Sequence, residues 1–350
     1  MNPAMTSHSS ESTRMFAEAG EAAEAVQRQL AANAGIVDAL AARLRARPPD
    51  FIVTCARGSS DHAATFAKYL FETRLGLVTA SASPSIASVY AVEPRMRGAL
   101  FIAISQSGRS PDLLRSTELA REAGACVVVL VNKEDSPLAQ LADHVIPLRA
   151  GAETSVAATK SYLCSLSALL HLAECWSEDR TLSHALRALP QAMREAWAVD
   201  WSSLVEGLRG ARDLFVVGRG LGLAAAQEAA LKLKETCGLH AEAFSSAEVM
   251  HGPMAIVGKD FPVLAFVQDD DSGQSTLQVA KEFRARGARV WLAQPGKREG
   301  DHLPLPASPH PACTPLLTAT AFYRAANALA LARGFDPDVP PYLNKVTETV

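Results

Sequence analysis

The chain has 350 residues, of which 48 % are hydrophobic and 20 % are charged. This length and composition allow two folded domains and argue against a disordered protein. The formal net charge of −3 supplies no basic field over the molecule. It therefore argues against nucleic acid as the main partner and leaves open a small anionic ligand in one positive pocket.

Cysteine usage and hydropathy predict a cytoplasmic protein. The six cysteines include no CxxC pair, and no group of His, Glu and Cys shows metal-ligand spacing, so we expect free thiols, no metal and no cofactor. The first thirteen residues are polar and lack the apolar core of a signal peptide. No uninterrupted apolar run reaches about 18 residues, so no membrane partner is expected.

The first predicted elements are helical. Residues 15–47 are rich in Ala, Glu, Gln, Leu and Arg, which predicts two helices that meet near Asn33-Ala34-Gly35. Pro48-Pro49 ends this N-terminal segment, residues 1–47, whose start we expect to be disordered.

Short apolar runs then alternate with longer amphipathic ones. The runs at 51–55, 100–104 and 127–131 predict strands, and the stretches at 61–75 and 111–123 predict helices. Continuous β-branched strands separated by helices indicate a parallel sheet that is buried on both faces.

The same pattern occurs a second time. Apolar runs at 214–218, 263–267 and 290–293 each begin 163 residues after their counterparts, as positions 51 and 214 show. Three strands in register predict an α/β protein with two tandem copies of a doubly wound, flavodoxin-like domain. We place the first domain at 48–190 and the second, with a C-terminal tail, at 191–350. The boundary falls near Leu189-Pro190, and a helical connector is expected from there to about Leu208.

Two polar loops follow the first and second predicted strands of the first copy, at 51–55 and 100–104. Ser105-Gln-Ser-Gly-Arg-Ser110 precedes Pro111, which suits the first turn of a helix, and Arg57-Gly-Ser-Ser60 follows the first strand. Hydroxyls, a close backbone and a helix N-terminus suit a phosphate. The alternative is that Ser and Gly only form these turns. In the second copy the position of Ser105 is Gln268, followed by three aspartates that would repel a phosphate, so the phosphate site is predicted once per chain.

Acid–base residues are concentrated in the second copy. Lys232 and Glu235 are three apart on a predicted helix, and Glu248 and His251 follow in a turn-rich stretch. A Glu and a His could move protons on a sugar. An exposed Lys232–Glu235 ion pair and a purely structural His251 remain the alternatives.

Seven motifs occur in the order of a known family. They are Gly58-Ser-Ser60, Ser105-Gln-Ser-Gly108, Val156-Ala-Ala-Thr-Lys160, Leu231-Lys-Leu-Lys-Glu235, His240-Ala-Glu242, Glu248-Val-Met-His251-Gly-Pro253 and Leu343-Asn-Lys345. From about residue 15 to its end, the chain resembles the isomerase half of glucosamine-6-phosphate synthase, which consists of two tandem sugar isomerase (SIS) domains.

The resemblance implies a homodimer with a site between lobes that holds a phosphorylated amino sugar. The implied phosphate ligands are Gly58, Ser59, Ser60, Ser105, Gln106, Ser107 and Ser110, and Val156 would line the sugar. Glu235 would move a proton between C1 and C2, with Lys232 nearby. His251 would open the pyranose ring from the neighbouring subunit, and Lys345 would lie at the carbonyl end. The tail around Tyr342 to Lys345 would exclude water from the site.

Differences from the synthase bear on the reaction. Ala158 replaces a serine of the sugar loop, Asn344 replaces an alanine before the lysine, and Arg109 replaces an acidic residue. The synthase begins with a glutaminase half that carries its nucleophilic cysteine at the start, whereas the first cysteine here is Cys55 in a predicted strand. The motif around Ser105 and the ending from Lys345 to Val350 resemble the stand-alone deaminases of this superfamily.

We therefore expect a glucosamine-6-phosphate deaminase, which releases fructose 6-phosphate and ammonia. The alternatives with the same site are a fructosyl-amino-acid-6-phosphate deglycase, a galactosamine-6-phosphate deaminase, a ketose–aldose isomerase and an ammonia-dependent synthase. A non-catalytic sugar-phosphate sensor is the alternative from another class. It is disfavoured because residues 1–47 contain no basic recognition helix and because both Glu235 and His251 are present.

Overall fold

The computed structural model describes residues 10–296 and 302–345 of the chain. Within these residues two parallel sheets of five strands are each flanked by helices. The first sheet comprises β1 (Phe51–Cys55), β2 (Thr79–Ser81), β3 (Ala99–Ser105), β4 (Cys126–Val131) and β5 (His144–Pro147). The second comprises β6 (Asp213–Gly218), β7 (His240–Ser245), β8 (Pro262–Phe266), β9 (Arg289–Ala293) and β10 (His302–Leu303).

Helices precede, connect and follow the strands. The first lobe and its N-terminal extension contain α1 (Arg14–Gly20), α2 (Ala22–Ala46), α3 (Ser59–Leu75), α4 (Pro84–Ser88), α5 (Pro111–Glu122), α6 (Pro137–Gln140) and α7 (Lys160–Ser177). The rest of the described chain contains α8 (Arg180–Trp197), α9 (Ser202–Leu208), α10 (Gly222–Cys237), α11 (Ser272–Ala285) and α12 (Thr314–Ala332). None of the described helices is both long and apolar enough to cross a membrane.

The two sheets have the same topology. Their strand orders are β2-β1-β3-β4-β5 and β7-β6-β8-β9-β10, with every neighbouring pair parallel. Each order has its first strand between the second and third, which is the doubly wound, flavodoxin-like arrangement. The predicted fold class and the repeat of 163 residues are therefore confirmed.

The two lobes share one apolar core. Helix α3 of the first lobe packs against α10 of the second, and α7 packs against α12. One cluster of buried side chains runs from α2 through both sheets to α12. This packing brings the carboxyl ends of β1 and β3 next to α10, where a ligand could contact both lobes.

The break between the two N-terminal helices lies at Glu21, so the prediction of a break near Asn33-Ala34-Gly35 is wrong. Asn33 stays inside α2 because its amide is used in tertiary contacts. Its Nδ2 donates to the Pro147 carbonyl at 2.7 Å, and its Oδ1 accepts from Arg149 at 2.7 Å. These buried hydrogen bonds outweigh the weak helix propensity of the segment.

The predicted boundary at Leu189-Pro190 falls inside a helix. Helix α8 runs on to Trp197 with Pro190 in its interior, and α9 completes the helical connector to Leu208. The connector is therefore helical as predicted, except that it begins in the middle of α8. The division into domains at 190 stays a prediction.

Candidate active site

A cleft of about 350 Å³ opens where β1 and β3 end. Nearly all the predicted site residues line it, although they come from distant parts of the chain. The lining includes Gly58, Ser59, Ser60, Ser105, Gln106, Ser107, Ser110, Val156, Ala158, Glu235, Asn344 and Lys345. Its volume lies in the range of small-molecule sites.

The two polar loops form one end of the cleft. In the loop after β3, the Ser105 hydroxyl accepts a hydrogen bond from the Gly108 amide at 3.0 Å. Gly108 has a φ of +64°, and a Cβ there would collide with the Ser136 side chain, so the turn requires glycine. Helices α3 and α5 start directly after these loops, and their first amides provide partial positive charge.

Arg57 adds a full positive charge at this end. Its guanidinium lies 2.7 Å from the carboxylate of Asp112, which is buried in the first turn of α5. This ion pair joins the loop after β1 to the loop after β3. The two loops are thereby held in one fixed geometry.

Lys232 and Glu235 are not an exposed ion pair. The Lys232 side chain is fully buried, and its ammonium group contacts the carboxylates of Glu228 (3.5 Å) and Glu235. Burial alone would lower the pKa of Lys232, but these two carboxylates outweigh it and raise the pKa. The lysine is thus a buried cation that orients Glu235 at the cleft.

Glu228 supports the cleft without lining it, and the sequence analysis does not single it out. Its buried carboxylate accepts hydrogen bonds from Ser59 at 3.2 Å and from Tyr323 at 2.9 Å, and it lies 2.9 Å from Nδ1 of His62. Burial alone would raise the pKa of Glu228, yet Lys232, His62 and Tyr323 together hold it below its usual value. Residues 228, 232 and 235 are spaced i, i+4 and i+7, so the spacing could have shown that they share one helix face.

Glu153 is the second missed residue, and it organises the loop between β5 and α7. Its buried carboxylate accepts from the amides of Thr159 and Ser161, each at 3.0 Å, and from the Ser161 hydroxyl at 2.6 Å. Lys345 donates to the same carboxylate at 3.2 Å. Burial alone would raise the pKa of Glu153, but Lys345 and Ser161 lower it. The C-terminal tail is thus attached to the loop that carries Val156 and Ala158.

The N-terminal helices support the same loop. Glu18 of α1 accepts hydrogen bonds from the backbone amides and hydroxyls of Thr154 and Ser155. Glu21, at the break between α1 and α2, lies 2.6 Å from the buried ammonium group of Lys160. Residues far from the cleft in sequence therefore determine the shape of the side that carries Val156 and Ala158.

Tyr162 presents an unusual polar atom at the cleft. The side chain is buried and lines the cleft, and its hydroxyl has no hydrogen-bond partner among the described residues. A buried hydroxyl without a partner costs on the order of 1–3 kcal/mol. A ligand hydroxyl in the cleft could remove that cost.

His251 does not line the cleft of its own chain. It is an exposed residue that follows the short 3-10 turn Glu248–Met250, and Met250 and Ile256 around it are also exposed. Its predicted role thus needs a second subunit, and that role stays a prediction. Residues 346–350, which belong to the ending that resembles the stand-alone deaminases, lie outside the described residues. Residues 1–9 of the predicted disordered start also lie outside them.

One group of possible metal ligands has a spacing that the sequence analysis does not identify, while the expectation of no metal stays a prediction. Helix α7 brings His171, Glu174 and Cys175 together, with their ligand atoms within 4.8 Å of one another. The sequence spacing of i, i+3 and i+4 on a helix was present but was not recognised as a possible ligand set. The group lies outside the cleft.

Comparisons with known proteins identify related sequences and structures. A family model described as "SIS domain" matches residues 47–174 and 207–293. The glutamine–fructose-6-phosphate aminotransferase (isomerizing) of Symbiobacterium thermophilum is 35 % identical over 324 residues, which are 87 % of this chain and 52 % of that protein. The chain thus spans about half the length of the curated relatives it matches.

Solved structures extend the comparison. A candidate phosphosugar isomerase from Silicibacter pomeroyi DSS-3 has a TM-score of 0.89 and 44 % identity, covering 93 % of this chain and all of that one. The C-terminal domain of the glucosamine-fructose-6-phosphate aminotransferase of Francisella tularensis has a TM-score of 0.85 and 27 % identity, covering 95 % and 100 %. A glucosamine-6-phosphate deaminase of Thermotoga maritima has a TM-score of 0.77 and 21 % identity, covering 96 % and 100 %, and at that identity it shares the fold alone.

Proposed function

This chain belongs to the SIS domain family, and from that premise we propose that it converts glucosamine 6-phosphate and water to fructose 6-phosphate and ammonia. One observation carries the proposal. A single cleft combines hydroxyl-rich loops at two helix N-termini with the carboxylate of Glu235 and the ammonium group of Lys345. An anion site beside an acid–base group suits isomerisation of a sugar phosphate.

The phosphate would bind at the two loops. Hydroxyls of Ser60, Ser107 and Ser110 line this end, and the amides that begin α3 and α5 provide further donors. The Ser59 hydroxyl already donates to Glu228, so Ser59 would contribute its backbone amide. The Arg57 guanidinium would add charge while Asp112 fixes its position.

Glu235 would perform the proton transfer. In the open-chain aldose it takes the proton from C2, which leaves an enolamine with a C1–C2 double bond. Returning the proton to C1 gives the 2-imine of fructose 6-phosphate. One proton passes from the nitrogen to O1 in the same conversion, so that C1 carries a hydroxyl. Water then adds to C2 and ammonia leaves. A positioned carboxylate contributes on the order of 10²–10⁴-fold to such a step, and the contact with Lys232 keeps Glu235 in position.

Lys345 and Tyr162 would orient the sugar. Lys345 extends from the tail to Glu153 beside the sugar loop, where its charge could polarise the carbonyl end of the substrate. The partnerless Tyr162 hydroxyl could meet a sugar hydroxyl. Val156 and Ala158 line the same side.

Ring opening would be completed by a second copy of the chain. His251 is exposed and does not line the cleft of its own subunit, and exposed apolar side chains at Met250 and Ile256 lie near it in the chain. We therefore include a homodimer, in which His251 of one subunit serves the cleft of the other, in the proposal.

The reverse reaction is the second candidate. The 35 % identity to a glutamine–fructose-6-phosphate aminotransferase favours synthesis of glucosamine 6-phosphate from fructose 6-phosphate and ammonia. Both directions use the same groups at the same atoms.

The test is an assay of the purified 350-residue chain in both directions. Incubation with glucosamine 6-phosphate should release ammonia and fructose 6-phosphate in equal amounts, and fructose 6-phosphate with ammonium would show the reverse rate. Absence of turnover in both directions would refute the proposal. Glu235→Gln should lower kcat at least 10³-fold with nearly unchanged sugar-phosphate binding, whereas Glu242→Gln, at an exposed glutamate of β7, should behave as wild type.

A further inference from the structure

We propose that His171, Glu174 and Cys175 form a binding site for a divalent transition metal of the zinc class, on the side of α7 that faces α2. The site lies outside the cleft, and the proposal does not depend on the proposed reaction. It rests on the three types of ligand atom, on the short distances between them, on a neighbouring carboxylate and on a separate depression beside the group.

The three residues share one helix face. They occupy positions i, i+3 and i+4 near the C-terminal end of α7, and their ligand atoms lie within 4.8 Å of one another. Tetrahedral zinc has bonds of about 2.0–2.3 Å, which separates its ligands by roughly 3.5 Å. Side-chain rotation alone could close the difference, because the three Cα positions are already fixed by the helix.

The donors suit a borderline-soft cation. An imidazole, a thiol and a carboxylate together match zinc or cobalt better than magnesium or calcium, which prefer oxygen ligands only. His171 is buried on α7, and a nitrogen of its neutral imidazole would be the ligand atom.

Cys175 is held as a thiol without the metal. Its Sγ donates to a Glu174 carboxylate oxygen at 3.0 Å. Metal binding would replace this proton: one S–metal bond forms, and one proton passes to solvent. The carboxylates that disfavour a free thiolate would then stabilise the bound cation.

A further carboxylate lies on the neighbouring helix, outside the group whose ligand atoms lie within 4.8 Å of one another. The carboxylate of Asp38, on α2, acts on both His171 and Cys175. Two arginines near the group carry positive charge. Arg45 donates to the Cys175 carbonyl and pairs with Glu178. Arg187 contacts His184. Glu178 offsets the charge of Arg45, whereas His184 does not offset that of Arg187. The two carboxylates and the bound thiolate would still outnumber this one cation.

A second depression, separate from the active-site cleft, gives access to the group. His171 and Glu174 line a depression of about 360 Å³ together with Gln27, Ser183 and Arg187. A hydrated ion could enter there, and water could complete the coordination sphere.

The test is titration of the full chain, stripped of metal, with Co²⁺ and then Zn²⁺. We expect one Co²⁺ per chain with a thiolate-to-metal charge-transfer band in the near ultraviolet, which Zn²⁺ abolishes by displacement. Cys175→Ser and His171→Gln should weaken binding at least tenfold and remove or shift the band. Cys126→Ser is the matched control, because Cys126 is the other partly exposed cysteine and lies outside the group.

A measurement on the wild-type chain covers the case in which a variant fails to fold. Zn²⁺ should slow alkylation of Cys175 by iodoacetamide at least tenfold while leaving the rate at Cys126 unchanged, as read by mass spectrometry of peptides. Absence of a charge-transfer band, persistence of the band in Cys175→Ser, or equal alkylation with and without Zn²⁺ would each overturn the proposal.

Discussion

Replacing Glu228 by glutamine tests whether the buried network joins the two lobes. The substitution keeps the volume of the side chain and removes one negative charge. A carbonyl oxygen in the place of Oε1 would still accept from Ser59 and Tyr323 and would lie 3.5 Å from the Lys232 ammonium group. The new NH₂ group, in the place of Oε2, would face Nδ1 of His62 at 2.9 Å. Lys232 then keeps only Glu235 as a counter-charge.

The expected cost follows from these contacts. Removing one partner of a buried ion pair typically costs 3–5 kcal/mol. Lys232 retains Glu235, and the amide retains some hydrogen bonds, so we expect a loss of about 2–4 kcal/mol in the free energy of unfolding. For a chain of this size that corresponds to a fall in Tm of roughly 3–5 °C. We also expect kcat to fall, because Lys232 no longer holds Glu235 in one orientation.

Calorimetry and a double-mutant cycle provide the measurement. Glu24→Gln is the control, because Glu24 forms a largely exposed ion pair with Arg194, which is worth under about 1 kcal/mol. Adding Lys232→Met to Glu228→Gln should recover part of the lost stability, since no buried cation is then left without its partner. A Tm equal to that of Glu24→Gln, or no recovery in the double variant, would refute the reasoning.

Three further predictions concern the cleft and its supports. Tyr162→Phe should leave Tm within about 1 °C of wild type, since the hydroxyl has no partner among the described residues. It should raise KM for the sugar phosphate about tenfold, which corresponds to a loss of about 1.4 kcal/mol in binding free energy. Gly108→Ala should raise KM at least tenfold, because its φ is +64° and a Cβ would collide with Ser136. The free energy of unfolding should fall as pH drops below about 4.5. The pKa values of Glu153 and Glu228 lie below the usual 4.5 in the folded state, so below that pH the unfolded chain binds more protons than the folded one.

Each of these three has its own control or contradicting result. An unchanged KM for Tyr162→Phe would show that no ligand group meets the hydroxyl. Gly210→Ala, where the added Cβ meets nothing within 4 Å, should keep the wild-type KM. The acid loss should be shallower in Glu228→Gln than in wild type, and an identical slope would exclude Glu228 as a source of it.

The fold could be predicted because its signals are local and repeated. The strands at 51–55, 100–104 and 127–131 appear as apolar runs of the right length, and the second set follows 163 residues later. The error near Asn33 has the opposite origin. Asn33 is polar and has weak helix propensity, which predicts a break in the helix. Its hydrogen bonds to Pro147 and Arg149, more than 110 residues away, keep it helical.

The cleft could be predicted only in part. Its hydroxyl-rich loops and Glu235 have recognisable local patterns, whereas the roles of Glu153 and Glu228 arise from contacts across the fold. Glu153 contacts Lys345 at 3.2 Å across 192 positions, and Glu228 contacts Ser59 across 169. Such pairing depends on how the lobes pack, which no local pattern encodes.

The two copies of the domain differ at the cleft for a steric reason as well as an electrostatic one. At the position of Ser105 the second copy has Gln268, whose buried side chain packs over Gly222 at the start of α10 and donates to the Pro311 carbonyl at 3.4 Å. Asp270 accepts from the amide and hydroxyl of Ser272, so its carboxylate is used to cap the turn. The space that corresponds to the proposed phosphate site of the first lobe is thus filled by protein in the second. Since α10 does not border such a space in its own lobe, its other side can carry Glu228, Lys232 and Glu235 towards the first lobe. Duplication followed by closure of one copy would account for the single phosphate site that we propose, served by residues of both lobes.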